Sequence, residues 1–207
     1  MIVRQILCGP LQENAYLVYD ETSDDALLID PGDDLTVLEK ELTACGKKLT
    51  DILLTHGHFD HILSVQPLRE KYGARVHIHP LDAYMLESED GCMYSKSNCI
   101  MPFRAMKDYE KLPEDDEFTF NAAGMEIKCL HTPGHSMGSV CYQIGDVLFS
   151  GDTIFAYGYG RYDFPGGDLH RLMASLKKVL NLDDSLTVCS GHGQQDTMEN
   201  IQKRWNR

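Results

Sequence analysis

The chain has 207 residues, 43% hydrophobic and 25% charged, with a formal net charge of −13; that is enough for one large domain or two small ones, with a sizeable core and no need of staples. The acidic balance repels phosphate backbones and no basic stripe runs through the chain, which argues against a nucleic-acid partner. No apolar run nears the roughly 18 residues of a membrane helix, and Met1-Ile2-Val3-Arg4-Gln5 lacks a signal-peptide pattern, so a cytoplasmic protein with no membrane association is expected.

In chain order, Ile2 to Leu7 reads as a strand, and Ala15 to Tyr19 and Ala26 to Ile29 flank the turn-like Asp20 to Asp25 as a hairpin. Asp30-Pro31-Gly32-Asp33 breaks the chain before a helix from Leu35 to Cys45, which Gly46 ends. A short apolar strand runs from Ile52 to Thr55. Helical spacing at Ile62, Val65, Leu68 and Tyr72 predicts a helix from His61 to Tyr72, closed by Gly73. Arg75 to His79 alternates as a strand. Leu81 to Glu87 suggests a short helix, and the rest of the irregular stretch from Pro80 to Glu117 reads as a long loop or helical lid, or as an ordinary surface insertion.

From Phe118 the chain turns strand-rich: Phe118 to Phe120, Met125 to Leu130, Val140 to Ile144 and Val147 to Phe149, with Gly145-Asp146 as a tight hairpin. A Gly- and Tyr-rich loop from Phe155 to Gly167 leads to Asp168, the expected N-cap of a helix reaching Leu180. Leu186 to Cys189 reads as a strand and Asp196 to Trp205 as a final helix. Lys203-Arg204-Trp205-Asn206-Arg207 reads as a solvated basic tail. The halves on either side of Phe118 have similar content without a sequence repeat, which suggests two packed sheets with helices outside.

Seven cysteines at irregular spacing argue against a disulfide framework or a thiolate zinc site. Cys45, Cys129, Cys141 and Cys189 sit in apolar surroundings and read as core. Cys92 and Cys99 lie in a polar stretch and read as candidates for exposure.

The chemistry concentrates in Thr55-His56-Gly57-His58-Phe59-Asp60-His61, where three histidines and an aspartate fall within six residues after an apolar strand. Imidazole and carboxylate together suit zinc, iron or manganese. His56 and His58 are two apart rather than three or four, so this is a loop folding around an ion rather than a helix face. Three further apolar strands end in Gly-containing turns that offer the same chemistry: His131-Thr132-Pro133-Gly134-His135, Ser150-Gly151-Asp152 and Ser190-Gly191-His192. Four strand ends presenting metal-type side chains suggest one shared site.

This set resembles the metallo-β-lactamase superfamily, and within it the small glyoxalase II-like hydrolases. Supporting segments are Leu28-Ile29-Asp30-Pro31-Gly32, Ser150-Gly151-Asp152-Thr153, Ser190-Gly191-His192-Gly193 and Gly160-Arg161-Tyr162-Asp163-Phe164-Pro165-Gly166-Gly167-Asp168. The resemblance covers nearly the whole chain. It implies one α+β domain over residues 1–207, a four-layer αβ/βα sandwich of two mixed sheets with helices outside. It implies two divalent metal ions, zinc first, with iron or manganese admitted by the same donors. His56, His58 and His135 would hold the first ion and Asp60, His61 and His192 the second. Asp152 and a water or hydroxide would bridge them. The catalytic residues implied are Asp60, as proton acceptor, and Asp152.

The expected activity is metal-dependent hydrolysis of a small-molecule acyl-thioester, as in a hydroxyacylglutathione hydrolase. A mononuclear iron persulfide dioxygenase, a lactone or ester hydrolase, and a non-catalytic metal-binding module are the alternatives. The chain departs from the larger glyoxalase II enzymes in having only fifteen residues after His192. Their C-terminal helical region, which binds glutathione, is therefore not carried over. Asp30 either orients a ligand histidine or is a simple loop carboxylate. Arg161 either fixes its loop or meets a substrate anion, and Tyr157, Tyr159 and Tyr162 either line a pocket or cover the core. His77, His79, His131 and His170 read as non-ligands. The sequence leaves the oligomeric state open.

Overall fold

A computed structural model describes residues 1–97, 99 and 101–205. The first half forms a mixed sheet of six strands in spatial order β1 (Ile2–Cys8), β2 (Glu13–Tyr19), β3 (Asp25–Ile29), β4 (Lys48–Leu53), β5 (Arg75–Ile78) and β6 (Glu110–Lys111). The first three pair antiparallel; β3 to β6 run parallel. The second half forms another six-stranded sheet in spatial order β12 (Asp196–Thr197), β11 (Thr187–Ser190), β10 (Val147–Gly151), β9 (Val140–Ile144), β8 (Met125–His131) and β7 (Glu117–Ala122). Only the β10–β11 pair is parallel there.

Strand alternation explains the layers. All seven residues of β2 are buried, because both faces of its sheet are covered. Tyr16 and Val18 point into the layer between the sheets, with Ile29, Leu53, Ile127, Tyr142 and Phe149. Leu17 and Tyr19 point the other way, onto α1 (Leu35–Cys45) and α3 (Val65–Tyr72) through Leu38, Leu42 and Leu68. Leu148 and Val188 of the second sheet face α4 (Leu169–Val179) and α5 (Met198–Trp205) through Leu172, Leu176 and Ile201. The result is the four-layer αβ/βα sandwich. Asp34 and Asp168 cap α1 and α4 by accepting from Val37 N and Arg171 N.

Several expectations are corrected. The helix expected from His61 to Tyr72 is two: α2 (Phe59–Ile62) and α3. Pro67 has no N–H to donate and its ring would meet the Leu63 carbonyl in a continuous helix, so the second helix starts afresh at Val65. Strand β4 begins at Lys48, earlier than its apolar run, because parallel pairing to β3 starts there. Among the described residues, the stretch from Pro80 to Glu117 forms no α-helical lid. It holds two 3-10 turns, Ala83–Glu87 and Tyr94–Lys96, and the edge strand β6. Cys92 is fully buried in the core between the first sheet and its helices α1 and α3 rather than exposed, and Cys99 is half-buried. Cys45 is half-buried at the margin of that core. Asp196 and Thr197 form β12, and the last helix starts only at Met198. The expected basic tail is part of that helix as far as Trp205: Arg204 pairs with Asp196, and Trp205 lies against the core between the second sheet and α4 and α5. Asn206 and Arg207 lie outside the described residues.

Candidate metal centre

The ends of four strands converge at one edge of the sandwich. The loop after β4 carries His56 and His58, and α2 continues it with Asp60 and His61. The loops after β8, β10 and β11 bring His135, Asp152 and His192. All seven side chains named from the sequence meet here. His58 Nδ1 lies 2.9 Å from His135 Nε2, which lies 3.2 Å from His56 Nε2. Beside them His192 Nε2 and His61 Nε2 lie 3.3 and 3.8 Å from Asp60 Oδ2. Asp152 stands between the two groups: Oδ1 is 3.6 Å from His61 Nε2, and Oδ2 is 3.6 Å from His135 Nε2 and 3.7 Å from His192 Nε2. Tight turns are needed for this approach. A Cβ on Gly191 would fall 2.4 Å from Asp152 Oδ1 and 2.7 Å from His61 Cε1.

Partners behind the rings fix which nitrogen faces inward. The Arg161 carbonyl accepts from His135 Nδ1 at 2.6 Å, which leaves a lone pair on Nε2. Thr55 donates its hydroxyl to Asp30 Oδ2 at 2.5 Å, so its oxygen accepts from His56 Nδ1 at 3.1 Å, and His56 Nε2 also presents a lone pair. Burial and neighbouring imidazoles push His56 well down and His58 to about 3, so both are neutral at pH 7. Neutral lone pairs facing one another at 3.2 Å repel unless a cation lies between them.

The second group makes the case by charge: carboxylates gather around His61 and call for a cation. His61 Nδ1 donates to Asp30 Oδ2 at 3.1 Å. Burial opposes a charge on His61, yet Asp60, Asp152 and Asp30 outweigh it and raise the imidazole to about 10. Burial would also raise the Asp60 carboxyl, but His61 and His192 hold it well below the usual range. His61 Nε2 and Asp152 Oδ1 are nonetheless buried without a hydrogen-bond partner. Two donors each about 2.1 Å from a tetrahedral ion stand about 3.4 Å apart. The spacings here, 2.9 to 3.8 Å, bracket that value; several are too wide for a shared proton. The residues present therefore fit divalent ions in two adjoining places.

Asp30 takes the orienting position weighed from the sequence. Its left-handed backbone (φ 49°) aims the carboxylate at Thr55 N and Oγ1 and at His61. Residues that the sequence left unassigned brace the centre as well. Asn14 Nδ2 donates to the Ser190 and Gly193 carbonyls at 2.9 Å, and Tyr16 Oη donates to Ser190 at 2.7 Å, so β2 holds the His192 turn. Asp82 accepts from Ser136 Oγ and Gly138 N, holding the His135 turn. Glu13 is buried 3.6 Å from His61 Nδ1 with neither oxygen partnered. Burial and neighbouring Cys8 and Asp30 push its carboxyl well up. Its place at a strand start gave no signal, since Glu-Asn there reads as turn chemistry.

The other histidines lie apart from the seven donors. His77 bonds Asp51 at 2.8 Å, His79 stacks on His131 at 4.2 Å, and His170 is exposed on α4. A cavity of about 380 Å³ opens onto the centre, walled by Leu11, Phe59, Met93, Lys96, Arg161 and Phe164. An adjoining hollow of about 340 Å³ reaches Tyr159 and His192. Tyr159 thus lines the site, whereas Tyr157 and Tyr162 face solvent. A larger groove of about 770 Å³ beside Asp34, Leu35 and Pro67 holds none of the donors, so its size has no bearing on the chemistry.

A family model described as the metallo-beta-lactamase superfamily matches residues 8–192. The chain belongs to that superfamily. It is 31% identical to the hydroxyacylglutathione hydrolase GloC of Haemophilus influenzae, over 90% of this chain and 88% of that protein. Among solved structures it is similar to the BLEG-1 B3 metallo-beta-lactamase, with a TM-score of 0.91 and 34% identity over 98% of this chain and 97% of that one. It is also similar to TTHA1623 in a di-iron-bound form, with a TM-score of 0.84 and 38% identity over 98% of both chains. It is also 34% identical to the probable metallo-hydrolase YqgX of Bacillus subtilis, over 93% of this chain and 90% of that protein. No helix among the described residues is long and apolar enough to cross a membrane.

Proposed function

We propose that the protein is a metal-dependent thioester hydrolase of the hydroxyacylglutathione hydrolase type. In this reading His56, His58 and His135 would hold one divalent ion and Asp60, His61 and His192 a second, with the Asp152 carboxylate available to both. The observation that carries it is the Asp152 carboxylate, which stands 3.6 Å from His135 in one group of donors and 3.6 and 3.7 Å from His61 and His192 in the other. The likeness to GloC supports the substrate class, and the di-iron form of TTHA1623 supports a paired centre.

A bound ion pair supplies Lewis acidity and a water that ionises near neutral pH. The chain's own groups do the rest. The Arg161 carbonyl, Thr55 and Asp30 lock the tautomers of His135, His56 and His61, so no ring must turn during the reaction. Asp60, kept ionised on the cavity wall by His61 and His192, would accept a hydrogen bond from the attacking water and orient it. Leu11, Phe59 and Phe164 give that wall an apolar lining that limits water around the reacting carbonyl.

The test is hydrolysis of S-lactoylglutathione and a panel of acyl-thioesters by protein loaded separately with zinc, iron and manganese. Thioester cleavage that collapses in His58→Ala is expected. Oxygen uptake with glutathione persulfide and one iron per chain, without thioester cleavage, would replace this reading with the dioxygenase.

A further inference from the structure

Resting on the thioesterase reading of this site, we infer that Lys96 determines specificity: its ammonium, on the cavity rim, receives a carboxylate carried by the thiol portion of the substrate. Lys96 comes from the irregular stretch between β5 and β7, and that stretch is tied to the centre. Cys92 is fully buried, and its carbonyl accepts from Phe59 N at 3.0 Å, inside the His58–Asp60 segment. Met93 then takes a left-handed conformation (φ 68°), which is uncommon for a side chain of its size, and lines the cavity. The 3-10 turn that follows is fixed by Lys96 N to Met93 O at 3.1 Å, Ser95 Oγ to Asp90 at 2.6 Å and Tyr94 Oη to Met101 O at 3.1 Å. Lys96 is thus four residues from an anchor bonded to the metal-binding segment.

Two cationic side chains line this cavity, and they differ. Arg161 is already engaged: Nε and Nη2 donate to Asp163 at 2.9 and 2.7 Å, and the guanidinium lies 4.2 Å from the Phe164 ring centre. It builds the wall. Lys96 is exposed and forms no ion pair with any described residue. The chain as a whole carries −13, which disfavours an approaching anion. An ammonium at the rim offsets this locally and offers a carboxylate a single contact. The ligand that fits has its reacting carbonyl over Asp60 and Asp152, a thioether-like body along Leu11, Met93 and Phe164, and a free carboxylate at Lys96.

The experiment separates this inference from the hydrolase reading by measuring binding without turnover. S-hexylglutathione and its dimethyl ester are titrated calorimetrically into metal-loaded wild type, Lys96→Ala and Lys96→Arg, at low salt and at 0.5 M salt. The free acid should bind wild type more tightly than the ester. Its Kd should rise about threefold to tenfold in Lys96→Ala, the range of an exposed charge pair. It should recover in Lys96→Arg, and the difference should shrink at high salt, with the ester indifferent to the substitution. With a hydrolysed thioester of the same thiol, KM should follow Kd while kcat stays within about twofold. Acid and ester responding alike, an unchanged Kd in Lys96→Ala, or no binding of the acid to wild type would each overturn the role of Lys96. The expected binding pattern with no thioester cleavage would sink the hydrolase reading and leave Lys96 as an anion contact.

Discussion

Asp30→Asn tests how the centre is built, because one atom is nearly the whole change. Three donors converge on Asp30: Thr55 N at 2.7 Å on Oδ1, and Thr55 Oγ1 at 2.5 Å and His61 Nδ1 at 3.1 Å on Oδ2. Asparagine offers one oxygen and one amide. With its oxygen kept toward Thr55 N, the amide faces the His61 N–H, donor against donor. The remedy is for His61 to carry its proton on Nε2, the nitrogen that faces Asp60 and Asp152, and a protonated nitrogen cannot ligate. One ion should then bind about 10- to 100-fold more weakly, a loss of about 1.4–2.7 kcal/mol. The amide also faces Thr55 Oγ1, whose hydroxyl sets the His56 tautomer by donating to Asp30, so the other ion should weaken too, through that one relay. In metal-free protein the unsatisfied buried donor costs about 1–3 kcal/mol, which lowers Tm by roughly 2–12 °C. Stepwise zinc titration against a chromophoric chelator reads both affinities. No weakening at either site would refute the tautomer argument.

Gly191→Ala should place a methyl against Asp152 and His61; hydrolysis is expected to fall at least about 100-fold with the fold retained by circular dichroism, and near-normal activity would contradict the packing. Burial would raise the Asp51 carboxyl, but hydrogen bonds from His77, Arg75 and Ala123 bring it down to about 2. Against an unfolded value of about 3.9, its contribution is full above that pH and is lost as pH falls towards 2. Asp51→Asn should therefore flatten the acid limb of a stability curve between about pH 4 and 2 and cost about 1–3 kcal/mol at neutral pH. An acid limb identical to wild type in denaturant titrations would contradict this. Chelation should lower Tm markedly, since free ion at a thousand times Kd adds about 4 kcal/mol; an unmoved calorimetric transition would argue that the donors hold no ion.

The site was legible because its chemistry is written in local runs. A strand, a glycine and then a histidine or aspartate recur at His58, His135, Asp152 and His192, and the fold places strand ends together. The braces were not legible. Asn14, Tyr16 and Asp82 act by reaching across 50 or more residues to turns of the other sheet, a relation that no local pattern carries. The burial of Cys92 was hidden for a similar reason. Its polar neighbours in sequence are not its neighbours in space, and an irregular stretch lacks the period that would reveal a buried face. The break between α2 and α3 was in fact written at Pro67, but apolar spacing that runs on through the break masked it.

The most direct test of a paired centre is metal content per chain, measured by elemental analysis after loading and desalting. Wild type should hold two divalent ions. His58→Ala and His192→Ala, which remove donors from different groups, should each fall to about one. One ion per chain in wild type, or two retained in both variants, would contradict the account.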